Sequence, residues 1–131
     1  MKLLLDTHIW VWSVLEPERV SGRVARAMVR PANEMWLSPL SIWESMLLVE
    51  QRRIRLNVGF ERWVVDALAT SSVREAPLNN EISLAAREFW PGLRDPVDAL
   101  LAATARVLDL TLVTADERLM RIKGISVLAN R

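Results

Sequence analysis

Four carboxylates in this chain fall where an ionised side chain is expensive. Asp6 ends the apolar run KLLL, and Asp116 lies just past a second run, TLVT, at Thr111 to Thr114. Glu44 sits in LSIWESMLLVEQ, where the positions three and four residues away are Leu40, Ser41, Leu47 and Leu48, a nearly apolar helical face. Asp98 opens PVDALLAATARVL, a helix apolar around most of its circumference and therefore expected to be buried. A carboxylate in such surroundings is costly unless it is paired or bound to a cation.

Gathered in one pocket, the four acids would repel one another and raise their own pKa values until a cation neutralised them. Donors made only of oxygen select Mg²⁺ or Mn²⁺. Such an ion, alone or as one of a pair about 4 Å apart, activates a bound water, sets it for in-line attack on phosphorus and stabilises the leaving oxygen. Hydrolysis of a phosphodiester is the natural use of that arrangement.

Each acid also has a purely structural explanation. Asp6 and Asp116 can each cap the helix that follows, and Glu44 can pair with a buried arginine. Asp95, in DPVD, can cap its helix with Pro96 in the first helical position and Asp98 closing a capping-box-like arrangement. What favours a shared role is the joint geometry: two strand ends and two inward helix positions can converge on one pocket.

The elements that must position these residues can be read from periodicity. Lys2 to Leu5 and Thr111 to Thr114 have the apolar character of buried parallel strands. Helical stretches cover Thr7 to Leu15, Ser21 to Val29, Leu40 to Gln51, Phe60 to Ala69, Asn79 to Trp90 and Pro96 to Leu108. Short strands at Glu34 to Leu37, Val73 to Ala76 and Ser126 to Leu128 complete the pattern. The alternation predicts an α/β fold, a short, mostly parallel sheet flanked by helices on both faces. All six prolines fall between helical stretches or at their starts. Ligands of such sheets bind beyond the carboxyl ends of the strands, where Asp6 and Asp116 both emerge.

Composition sets the outer limits. At 131 residues, 51% of them hydrophobic, the chain reads as a single domain over residues 1–131. No apolar run approaches the ~20 residues that cross a bilayer, and MKLLLD lacks the layout of a signal peptide, so the expected compartment is the cytoplasm, with no membrane role. The absence of cysteine excludes disulfides and thiolate metal sites, and one histidine excludes a site built of several imidazoles. Fifteen of the seventeen basic residues are arginine, whose planar fork suits phosphate or carboxylate partners, although high-GC coding gives the same bias. Arg52 to Gly59, RRIRLNVG, reads as an exposed connection between helices, its arginines either an RNA-facing patch or a solvated loop.

Taken in order, LLLDTHIW, SIWE, LRDPVDALLAATA and LTLVTADERL resemble the PIN-domain toxins called VapC, across essentially the whole chain. The resemblance implies a metal-dependent endoribonuclease that hydrolyses RNA phosphodiester bonds through Mg²⁺- or Mn²⁺-activated water. It places the catalytic roles on Asp6, Glu44, Asp98 and Asp116, with Asp6, Asp98 and Asp116 as metal ligands and no other cofactor. It adds Asp95 as a recurrent acidic position, and Thr7 and Thr114 as hydroxyls that orient carboxylates. It also implies a homodimer inhibited by a small VapB-type antitoxin whose C-terminal segment lies near the acids. Two positions depart from the pattern: Leu93 stands where a histidine is frequent and Ala99 where an arginine is, which touches RNA and antitoxin contacts and leaves the acids intact.

His8 invites a role as general base, but a lone histidine at a helix start is more often structural. The six tryptophans fit core or dimer-interface packing, with RNA stacking the less ordinary use. A phosphoacceptor module would want a lysine at a strand end, and neither Lys2 nor Lys123 lies at one. A dehalogenase-like phosphatase would want two aspartates flanking one residue, whereas the chain has Asp6, Thr7, His8. The alternative of a different class is a non-catalytic PIN-like subunit that binds RNA or protein.

Overall fold

The run Leu3-Leu4-Leu5 has no polar face, and a strand without one belongs inside a sheet covered on both sides. It lies there in the computed structural model, which describes residues 1–131. The elements run β1 (Lys2–Leu5), α1 (Thr7–Leu15), α2 (Gly22–Val29), β2 (Glu34–Leu37), α3 (Pro39–Glu50), α4 (Phe60–Ser71) and β3 (Arg74–Glu75). They continue with α5 (Asn80–Ala85), α6 (Trp90–Leu93), α7 (Pro96–Val107), β4 (Thr111–Thr114), α8 (Glu117–Met120) and β5 (Ser126–Ala129). Single 3₁₀ turns occupy Pro17–Arg19 and Ala86–Glu88. No helix is long and apolar enough to cross a membrane.

All four strand pairings are parallel, in the order β3-β2-β1-β4-β5. The sheet is thus wholly parallel, where the sequence predicts a mostly parallel one. Alternation sends Leu3, Leu5 and Val113 to one face, where they pack with Ile9, Trp10, Val24, Trp63 and Ala67 of α1, α2 and α4. Leu4 and Leu112 point to the other face and meet Ile82, Leu93, Leu101, Ala102 and Leu119 of α5 to α8. The alanines of α7 let that helix lie close against the sheet, and Ala99, Ala102, Ala103 and Ala105 are all buried.

The helix expected over Asn79 to Trp90 is interrupted. It stops at Ala85, tightens into the 3₁₀ turn and restarts as α6, which accommodates Pro91 within its first turn. Trp10 and Trp63 are core residues with ring centroids 5.3 Å apart, whereas Trp43 and Trp90 lie at the surface.

The chain leaves β1 for β2 on one side and returns to β4 on the other. The gap between the carboxyl ends of β1 and β4 is therefore the point where the winding reverses, the usual location of a binding crevice in such sheets.

Candidate active site

Asp6 and Asp116 flank that gap. The backbone N–H of Asp6 donates to Val113 O at 2.9 Å, which carries the β1–β4 ladder to the edge of the sheet and fixes where the first carboxylate emerges. Asp6, Glu44, Asp95, Asp98 and Asp116 line one cleft of about 420 Å³, together with His8, Trp12, Arg53, Ala115 and Arg118. All four principal acids of the sequence reading, and Asp95 with them, share one pocket.

Three of the aspartates also cap helices. Asp6 Oδ1 accepts from Thr7 N–H at 2.8 Å, and Asp116 Oδ1 accepts from Arg118 N–H at 2.8 Å. Asp95 Oδ1 accepts from the N–H groups of Val97 and Asp98, each at 3.0 Å, with Pro96 in the first turn of α7. Capping and pocket-lining coexist, because a cap aims the carboxylate at the end of its helix and these ends face the crevice.

Two threonines hold the acids in place. Thr114, fully buried, takes a hydrogen bond from Asp116 N–H at 3.0 Å and donates to Asp6 Oδ2 at 2.7 Å, so one hydroxyl links the ends of β1 and β4. The Thr7 hydroxyl donates to Glu44 Oε1 and lies 2.9 Å from Ser41 Oγ, joining α1 to α3. Glu44 therefore points inward and meets a hydroxyl, with no arginine as its partner. Asp98 and Asp116 share Arg118, whose Nη2 lies 3.2 Å from Asp98 Oδ2 and 2.9 Å from Asp116 Oδ2.

The electrostatics follow from burial and crowding. Desolvation raises the pKa of Asp6, and the hydrogen bond from Thr114 opposes it. Burial likewise raises Glu44, with Thr7 opposing and the charges of Asp6 and Asp95 adding. Asp98 is pushed up to about 7, first by burial and then by the charges of Asp95, Asp6 and Asp116. Asp116 is lowered instead, chiefly by its hydrogen bond from Arg118. His8, its ring 5.5 Å from that of Trp12, is lowered by burial and stands neutral at pH 7.

Residues 3–125 match the PIN domain, and the chain is 34% identical over 118 residues to Ribonuclease VapC22 of Mycobacterium tuberculosis, spanning 89% of this chain and 88% of that protein. The chain belongs to the PIN-domain family, in its VapC group. The fold agrees. VapBC2 from Rickettsia felis, bound to a DNA fragment, superposes with a TM-score of 0.70 at 19% identity, over 98% of each chain. A toxin-antitoxin complex from Klebsiella pneumoniae gives 0.69 at 20%, again over 98% of each.

In this PIN domain the side chains, as they stand, form no group of three His, Asp or Glu residues close enough to hold one metal ion. The donor set nonetheless fits a hard divalent cation. It consists of oxygen alone, two of its carboxylates are buried, and burial and mutual repulsion leave Asp98 half-protonated near neutrality. Asp98 engages Arg118 only through Oδ2 and Glu44 engages Thr7 only through Oε1, so one oxygen of each has no protein partner. The sequence reading missed two members of the site. Ser41 was legible as the sole hydroxyl on the apolar face around Glu44. Arg118 had no such signal, since two residues after a helix cap an arginine reads as solvent-facing.

Proposed function

We propose that this chain, acting as one domain over residues 1–131, is a divalent-cation-dependent endoribonuclease toxin of the cytoplasm. The observation that carries this reading is the convergence of Asp6, Glu44, Asp98 and Asp116 on one cleft at the switch point of the sheet. The relative named Ribonuclease VapC22 supports ribonuclease chemistry, and the VapBC complexes support a VapB-type antitoxin as protein partner. A homodimer is part of the same proposal.

Asp6, Asp98 and Asp116 are the residues we assign to Mg²⁺ or Mn²⁺, which when bound supplies an activated water and charge stabilisation at phosphorus. Glu44 is the acid left to take up a proton, because burial and its neighbours raise its pKa and bring it closer to that of its task. Thr114 fixes Asp6, and Thr7 fixes Glu44, each spending a neutral donor so that the negative charge of the pocket is retained. Asp95 holds the start of α7, and through it the position of Asp98.

The test is cleavage of a panel of single-stranded and loop-containing RNAs by the purified protein, freed of any partner, with Mn²⁺ or Mg²⁺ and with EDTA. Cleavage that EDTA abolishes and Mn²⁺ restores is the expected result. Undiminished cleavage in EDTA, or none of the panel cut with Mn²⁺ present, overturns the reading.

A further inference from the structure

Beside the acid pocket lies a second cleft of about 510 Å³, within the ~300–1,000 Å³ usual for ligand sites. The two clefts share a wall, since His8, Trp12 and Arg53 line both. Their charge is opposite. Arg19, Arg52, Arg53 and Arg55 border the second cleft with a single acid, Glu16, in a chain whose net charge is only +1.

The three arginines of the connection sit on a pinned backbone. Arg52 N–H donates to Val49 O at 3.0 Å and Arg53 N–H to Leu48 O at 2.9 Å, while Ile54 and Leu56 tuck into the core behind them. Arg52 holds a left-handed conformation at φ 59°, which turns the chain sharply off the end of α3. The side chains of Arg52, Arg53 and Arg55 make no ion pair and no hydrogen bond, so every donor of three guanidinium forks is unspent. Arg19 differs. Glu16 holds it at 3.1 Å, and its guanidinium lies 4.2 Å over the ring of Trp12, a flat cationic platform.

Unpaired forks suit phosphates, and a planar guanidinium backed by an aromatic ring suits the face of an unstacked base. We infer that this cleft binds the stretch of single-stranded RNA next to the bond being cut, with Arg52, Arg53 and Arg55 on its phosphates and a base on the Arg19–Trp12 platform. The inference rests on the ribonuclease reading and names where its substrate lies. Continuity favours RNA over an acidic peptide: a strand whose phosphodiester sits over repelling acids must leave them, and Arg53 lines the way from one cleft into the other.

The experiment measures binding of a labelled single-stranded RNA in EDTA as a function of salt, alongside steady-state cleavage with Mn²⁺. Arg52→Ala combined with Arg55→Ala is expected to weaken binding at least about tenfold and to reduce the salt slope by about 1.4, at ~0.7 per phosphate contact of a single strand. In cleavage KM should rise while kcat holds. Arg23→Ala with Arg26→Ala, which removes the same charge from residues lining neither cleft, should leave the slope unchanged. Arg19→Ala should erode the preference for single strands over a duplex of the same sequence.

Equal slopes and affinities for the two double variants overturn the inference, as does a fall in kcat with binding intact. Loss of binding confined to an acidic antitoxin tail, with RNA affinity retained, overturns it in favour of a peptide groove. Failure of the wild-type protein to cleave any RNA strikes the ribonuclease reading itself, and so is distinguishable from all of these.

Discussion

On one side of the acid pocket Asp6 and Glu44 are held by the hydroxyls of Thr114 and Thr7, both buried; on the other, Asp98 and Asp116 share the guanidinium of Arg118, a side chain 57% exposed. The first arrangement positions charge without cancelling it. The second offsets part of the charge without fixing it, because a long exposed arginine is only loosely tethered by ion pairs that water screens. The hydroxyl side therefore behaves as scaffold. On the proposed reading, the arginine side is a counter-ion that a divalent cation would replace, exchanging one positive charge for two.

The largest effect should come from removing the most perturbed charge. Asp98→Asn is expected to lose cleavage by far more than the ~10–100-fold that follows loss of an orienting partner, while making the cation-free fold more stable. The pH dependence gives an independent check. Folding raises the Asp98 pKa from 3.8 to about 7, so in that window the native state holds a proton that the unfolded chain has released. Stability in EDTA should fall as pH rises through this window, by on the order of 2 kcal/mol, about half of what the full shift would give because solvent screens a partly exposed carboxylate, and stay lower above it. A thermal melt series in which Asp98→Asn shows the same decline as the wild type removes Asp98 as its source.

Next comes the scaffold. Thr7→Val keeps the shape but deletes the hydroxyl between Ser41 and Glu44, and cleavage should drop roughly 10–100-fold with kcat falling and KM unchanged. Thr7→Ser should recover most of it. If both variants cleave like the wild type, Glu44 does not need its tie and the contrast between the two sides collapses.

The smallest effect on the fold belongs to Arg118. Arg118→Ala should leave the thermal midpoint in EDTA nearly unchanged, because an exposed ion pair is strongly screened, yet lower the Mn²⁺ concentration needed for half-maximal activity, since no guanidinium then has to be displaced. A raised midpoint would instead make Arg118 part of the site's support.

Legibility in the sequence followed the reach of the interactions. Asp6, Glu44, Asp98 and Asp116 were readable because a carboxylate in an apolar setting violates a local pattern, and the strands because KLLL and TLVT are short apolar runs. Arg118 was hidden: its partner Asp98 is twenty residues away, and nothing local distinguishes it from the other surface arginines. The break between Ala85 and Trp90 was hidden for a related reason. Helical propensity runs through Ala85, Ala86 and Glu88, and Ile82, Ala86, Phe89 and Leu93 keep the spacing of one helical face as they pack against one cluster, so the periodicity carries no mark of the tighter turn. Asp95 was readable in both its aspects, as a cap and as a neighbour of the pocket.

The central position of β1 bears on how the protein is made. Its partner on one side, β2, is synthesised soon after it, but its partner on the other, β4, begins at Thr111, so the middle of the sheet pairs strands more than a hundred residues apart. Contacts of such separation form late and slowly in folding. During synthesis Asp6 has neither Thr114 to orient it nor Asp116 to complete the pocket until the chain has grown past β4. A growing chain thus carries Asp6, Glu44 and Asp98 before the residues that complete their pocket, Thr114 and Asp116, have been made.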